Sequence, residues 1–211
     1  MVAGGPLGWS SRTATLAVEA RSLLAADGGA NHLARLGLRP HQVIGDFDSI
    51  TPATRAWVGE ERMVHRPDQD RTDLDKALEF AFDEKKLQEI SVLAALGGRV
   101  DHDLGNLGLL ARLGMGDRLT FVGDDFLALA IAGEAALEAE PGEIWSFWTY
   151  DPAIRVSVSG VKWPIENAAV DAGGSPSVSN EATEHRVTVS ATGGAVVVFR
   201  QRGKGAEGQR G

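Results

Sequence analysis

Val43-Ile44-Gly45-Asp46-Phe47-Asp48-Ser49-Ile50 is a short apolar run that ends in glycine and then releases two carboxylates two residues apart. In an extended segment, side chains at i and i+2 point the same way, so Asp46 and Asp48 are expected to aim at one point. Two like charges this close repel unless a cation or a shared proton lies between them. Hard oxygen donors of this kind suit Mg²⁺, which keeps several waters and bridges phosphates rather than filling an all-protein cage. Taken alone, the stretch also reads as an acidic turn after a strand, with Ser49 and Thr51 opening the next helix. The flanking sequence decides between the two.

Upstream, Met1-Val2-Ala3-Gly4-Gly5 gives an unusually short first strand, which leaves the edge of the sheet in question. Ser10 or Ser11 can cap a helix running to about Arg21. Ser22 to Ala26 reads as a buried strand ending at Asp27-Gly28-Gly29, and a helix with Ala30, Leu33 and Ala34 on its apolar face follows. Downstream, Thr51-Pro52 is an N-cap followed by proline at the first helical position. Arg62 to Arg66 gives the next short strand. After Pro67 comes Asp68-Gln69-Asp70-Arg71-Thr72-Asp73-Leu74-Asp75, in which Thr72 and Asp75 resemble a capping box. Glu89 to Leu96 is a further apolar strand, ending in Gly97-Gly98-Arg99-Val100-Asp101-His102, with Leu104, Leu107 and Leu110 at helical spacing beyond it.

Four times, then, a strand leads through a polar or glycine-rich turn into a helix. That alternation predicts a doubly wound parallel sheet with helical crossovers, and ligands of such sheets bind beyond the carboxyl ends of the strands. Asp27, the Asp46/Asp48 pair, Asp70 with Asp73, and Arg99 with Asp101 all fall on that edge. Carboxylates there can hold Mg²⁺ against phosphate oxygens. Glycines at 28–29 and 97–98 let backbone approach phosphates, and Arg99 can clamp one bidentately. Neither a Walker A pattern nor GxGxxG is present, so a P-loop and a dinucleotide fold are unsupported.

From about residue 117 the pattern becomes short strands separated by Gly, Pro and Asn, among them Phe126 to Ile131, Ile144 to Thr149, Ile154 to Val158, Arg186 to Val189 and Ala195 to Phe199. This predicts a small β-sandwich. The expected organisation is an α/β catalytic, ATP- and Mg²⁺-binding domain over 1–118, a β-sandwich domain over 119–200, and a disordered polar tail over 201–211. The five tryptophans read as core or interface rather than as ligand platforms.

The bulk composition narrows the class. The net charge of −8, from 29 acidic and 21 basic side chains, argues against a nucleic-acid binder. With no cysteine there is no disulfide framework, thiolate metal site or cysteine nucleophile, which suits the cytoplasm. No signal peptide and no membrane span are expected.

Five stretches occur together and in order: Ala26-Asp27-Gly28-Gly29-Ala30-Asn31, Gly45-Asp46-Phe47-Asp48-Ser49, Asp68-Gln69-Asp70-Arg71-Thr72-Asp73, Gly97-Gly98-Arg99-Val100-Asp101-His102 and Ser179-Asn180-Glu181. On these the chain resembles the thiamine pyrophosphokinase family. The resemblance implies transfer of the pyrophosphoryl group of ATP to the hydroxyl of thiamine, with Mg²⁺, in a homodimer with sites at the subunit interface. It implies that Asp46, Asp48 and Asp73, with Asp27 close by, surround Mg²⁺. It places Asp27, Gly28, Gly29, Gln69, Asp70, Thr72, Gly98 and Arg99 near ATP, and Asp101 near the reacting hydroxyl as base or orienter. It puts Ser179 and Asn180 near thiamine, although Glu181 and Ala182 stand where some relatives carry an aromatic residue. A pyrophosphokinase for another small alcohol, such as a pterin, and a non-catalytic nucleotide or thiamine sensor are the competing readings.

Overall fold

The chain is described from a computed structural model that covers residues 1–114 and 118–201. The expected tail beyond Gln201, and residues 115–117 near the expected domain boundary, lie outside the described residues. Among the described residues there are two compact units, Met1–Asn106 with Phe121–Asp124, and the remainder up to Gln201.

The first unit carries α1 (Ser11–Val18), β1 (Leu24–Ala26), α2 (Gly29–Arg35), β2 (Gln42–Gly45), α3 (Pro52–Val58), β3 (Met63–His65), α4 (Asp73–Glu79) and β4 (Ile90–Leu93). β1, β2 and β3 pair in parallel in that order. Leu24, Ala25 and Ala26 are all buried, as befits a strand covered on both faces. The first segment is short but does not alter an edge. Val2 bridges in parallel to Ala25 on one side and to Leu93 on the other, so it fills the centre of the sheet. Its N–H donates to Leu24 O and its carbonyl accepts from Ala26 N–H, both at 2.9 Å.

Local chemistry starts and stops the helices. Thr51 Oγ1 accepts the Thr54 N–H at 3.2 Å with Pro52 behind it, and Gly59 (φ +92°) ends α3. Thr72 Oγ1 accepts the Asp75 N–H at 3.3 Å and starts α4, as the capping-box reading expects. Leu74, Ala77 and Leu78 bury the apolar face of α4, each large aliphatic contributing roughly 1.5–3 kcal/mol. α5 (Val100–Leu113) follows the glycine turn after β4, and the division between units falls within it.

β5 (Leu119–Val122) is followed in the second unit by β6 (Phe126–Glu138), β7 (Ile144–Trp148), β8 (Arg155–Ser159), β9 (Ile165–Ala168), β10 (Ser177–Glu181) and β11 (Arg186–Gln201). The two strands expected at 186–189 and 195–199 are one strand. β11 pairs along its length with β6, and its register shifts between Ala191 and Ala195, where Gly193 has φ +86°. On its other side the first half of β11 pairs with β8 and the second half with β7. β9 extends β8, and β10 extends β7. Trp145, Phe147, Val156, Val158, Val187, Val189, Val196 and Val198 fill the resulting sandwich core. No helix among the described residues is long and apolar enough to cross a membrane.

Candidate active site

At the carboxyl end of β2 the backbone turns sharply. Gly45 has φ +154° and Phe47 φ +70°, a left-handed conformation that is costly for a bulky residue. Asp46 and Asp48 therefore do not converge through an extended i, i+2 geometry. A turn brings them together, closed by the Asp48 N–H donating to Asp46 Oδ1 at 3.2 Å. Ser49 Oγ donates to Asp48 Oδ1 at 2.7 Å, and Gln69 Nε2 donates to Asp46 Oδ2 at 2.8 Å. The Gln69 bond is the main cause holding the Asp46 carboxyl below its ordinary range.

Asp27 sits at the end of β1 with φ +36° and is 2% exposed. One oxygen accepts the Ser49 N–H at 3.0 Å, while Oδ1 has no hydrogen-bond partner among the described residues. Burial pushes its carboxyl up to about 6, and the charges of Asp73 and Asp48 add to the rise against the Ser49 bond. An oxygen from each of Asp27, Asp46 and Asp48 lies within 4.8 Å of the others. Three hard oxygen donors, one of them buried and unpartnered, fit a divalent cation.

Gly45 makes this crowding possible. A Cβ there would stand 2.9 Å from Asp27 Cβ and 3.1 Å from Asp73 Oδ1. Asp73, at the start of α4, accepts a hydrogen bond on Oδ1 from Lys76 Nζ at 3.0 Å. Asn31 ties the first turns together, donating to Ser49 O at 2.9 Å and accepting from the Thr51 N–H at 3.1 Å.

Beside the carboxylates lies a cavity of about 730 Å³, lined among others by Asp27, Gly28, Thr72, Asp73, Gly98 and Arg99. Asp46, Asp48, Gly29, Gln69, Asp70 and Asp101 are outside that lining. Gly29 has a packing duty instead: a Cβ there would come within 2.1 Å of Val2 O, so glycine lets α2 sit on the central strand. Arg99 and Asp101 are exposed and paired with each other, Nε donating to Oδ1 at 3.1 Å. That bond holds the Asp101 carboxyl down at about 2. Asp103 accepts the Gly97 N–H with both oxygens at 3.1 Å and so shapes the glycine turn.

The sequence pattern did not single out Lys76, His32 or Asn106. The last two also line the cavity. His32 Nε2 is 2.8 Å from Gly5 O, which makes it the donor and leaves Nδ1 buried with no partner among the described residues. Asn106 Nδ2 donates to Ala95 O at 2.7 Å. No motif spacing marks His32 or Asn106, because each works through backbone that only the fold brings near.

Ser179 and Asn180 belong to the second unit. Ser179 is exposed at φ +58°, and its N–H donates to Ser146 Oγ at 3.1 Å. Asn180 is 1% exposed; Oδ1 accepts the Trp163 N–H at 3.1 Å and Nδ2 donates to Trp163 O at 2.7 Å. This clamp presents a Trp163 ring that is 57% exposed, with Lys162 Nζ 4.9 Å from its centroid, so Trp163 is not a core residue.

Fold and site together define a class: an α/β unit with a carboxylate and glycine site at the carboxyl edge of its parallel sheet, followed by a β-sandwich. Residues 13–121 match the family model for the Thiamin pyrophosphokinase catalytic domain, and residues 136–196 match that for the Thiamin pyrophosphokinase vitamin B1 binding domain. The chain belongs to the thiamin pyrophosphokinase family. It is 29% identical to thiamine pyrophosphokinase of Bacillus subtilis over 207 residues, covering 95% of this chain and 96% of that one. Thiamin pyrophosphokinase 1 of Caenorhabditis elegans is 32% identical over 198 residues, covering 87% of this chain and 81% of that one. The crystal structure of the Bacillus subtilis protein superposes with a TM-score of 0.77 at 29% identity, over 95% of this chain and 97% of that chain.

Proposed function

We propose that this chain transfers the pyrophosphoryl group of ATP to the hydroxyl of thiamine, giving thiamine diphosphate and AMP. A bond forms between the hydroxyl oxygen and the β-phosphorus. The bond from that phosphorus to the oxygen bridging the α-phosphorus breaks, and the hydroxyl proton is released. The observation that carries the reading is the compact Asp27/Asp46/Asp48 set, with its unpartnered buried oxygen, beside a glycine-lined cavity in a chain of this family.

Asp46, Asp48 and Asp27, with Asp73, are the residues that would hold Mg²⁺. When bound, the ion offsets charge on the phosphate oxygens and orients them. Gly28 and Gly98, in the cavity lining, leave room for phosphates, Gly29 would offer its backbone N–H at the start of α2, and Gln69, Asp70 and Thr72 would meet ATP from the segment that leads into α4. Gln69 fixes Asp46 in rotation. Arg99 carries a planar fork suited to a phosphate and, on turning to it, would release Asp101. Once released, Asp101 is free to accept the hydrogen bond of the hydroxyl, as base or orienter. Residues 1–118 form the ATP domain in this reading. Residues 119–200 carry Ser179 and Asn180 to thiamine across a homodimer, and the protein works in the cytoplasm.

The test is a mass-resolved assay of purified protein with ATP, Mg²⁺ and thiamine, with a pterin alcohol in parallel. AMP and thiamine diphosphate in equal amounts are the expected result. AMP formed only with the pterin would replace the substrate, and binding of both ligands without AMP would make the chain a sensor.

A further inference from the structure

Lys76 is buried to 2% exposure on α4, a helix that also buries Leu74, Ala77 and Leu78. Burying an ammonium costs several kcal/mol unless a charge partner offsets it. Its partner is Asp73, whose side chain remains 28% exposed and lines the cavity. The 3.0 Å bond takes Asp73 Oδ1 and leaves the other oxygen for whatever enters. The pair also rests on Gly45, the residue that leads directly into Asp46 and whose missing Cβ makes room for Asp27. The ammonium's field reaches Asp46.

We propose that Lys76 is a positioning residue for the metal site: by fixing one oxygen of Asp73, it aims that carboxylate and keeps the four-aspartate set in register. This rests on the reading that these carboxylates hold a divalent cation. The logic is that of outer-layer partners in metal sites, which orient ligands they do not replace and whose loss typically weakens metal binding about 10–100-fold. Charge alone predicts the opposite sign, because removing an ammonium next to a cation site tightens cation binding.

Mn²⁺ titration followed by electron paramagnetic resonance, on the full chain, separates the two. Lys76→Met is expected to weaken Mn²⁺ binding ~10–100-fold and to raise the Mg²⁺ concentration for half-maximal rate, leaving KM for thiamine unchanged. In a D73N background the same substitution is expected to change Mn²⁺ affinity by less than about threefold, since the effect runs through Asp73. Should K76M not fold, judged by circular dichroism, K76L, which also removes the donor, is read by the same affinity criterion. Affinity equal to or tighter than wild type in the folded variant overturns the proposal, as does a full-sized effect that persists in D73N. If the wild-type chain itself binds no Mn²⁺, both this proposal and the metal reading fail; if only the variant result is negative, the metal reading stands.

Discussion

Asp46 and Asp48 are half-buried and exposed respectively, so neither contributes a packed side chain to the core. Replacing either by Asn keeps volume and hydrogen-bonding capacity while removing a formal charge. Turnover is expected to fall at least ~10³-fold with the metal-free melting temperature unchanged, since several kcal/mol of charge stabilisation is at stake. Near-normal rates in both variants would sink the metal assignment. His32 offers a test of a different kind. Burial lowers its imidazole pKa, with the Gly5 carbonyl opposing the shift and the charge of Arg35 adding to it. A folded-state pKa below the unfolded value means the unfolded chain takes up a proton first. The stability is therefore present above about pH 6.5 and is lost as pH falls through the lowered value. Melting curves between pH 7.5 and 5 are expected to decline more steeply for wild type than for His32→Gln, whose amide can still donate to Gly5 O. Parallel declines would remove His32 from the account.

At the scale of elements, glycine decides more than any helix former. Gly29→Ala would drive a Cβ to 2.1 Å from a backbone oxygen of the central strand, and neither backbone can yield cheaply. A loss of about 3 kcal/mol is expected from such overpacking, read as a drop in the urea midpoint at unchanged slope. A loss below 0.5 kcal/mol would mean that α2 does not rest on Val2 as described. These strand–turn–helix units were legible in the sequence because apolar runs, caps and glycines are local signals, and each marked a sheet edge where carboxylates gather. The second half was less legible. Glu134 to Glu138 is rich in good helix formers and offers no strand period, yet it pairs with Arg186–Ser190. β9 and β10 are four and five residues long and contain Asn, Glu and Ser. Strand preference is set by cross-strand partners rather than by the chain's own residues, and those partners lie far away in sequence. Lys76 was hidden for a related reason: the i, i+3 spacing to Asp73 reads as a surface ion pair, and burial cannot be seen in spacing.

For the molecule as a whole, the apolar cores and the proposed metal ligands are separate sets of residues. Val43, Ile44, Leu33, Leu78 and Val92 in the first unit, and Trp145, Phe147 and Val198 in the second, are buried without help from any aspartate. Chelation is therefore expected to abolish turnover while leaving far-ultraviolet circular dichroism unchanged, with activity returning on adding Mg²⁺. The cation should still stabilise the fold, because it binds the native carboxylate set and not the dispersed one. At a hundredfold excess over Kd, linkage gives about 2.7 kcal/mol, or a rise in Tm of roughly 5–10 °C for a chain of this size. The rise opposes the mutual repulsion of Asp27, Asp48 and Asp73, within a chain already at −8. It is expected to disappear in D46N and D48N while persisting in variants outside the site. A chelated chain that unfolds outright would make the cation a structural element. A Tm indifferent to Mg²⁺ in wild type, at concentrations that support turnover, would place the metal on the nucleotide rather than on these carboxylates.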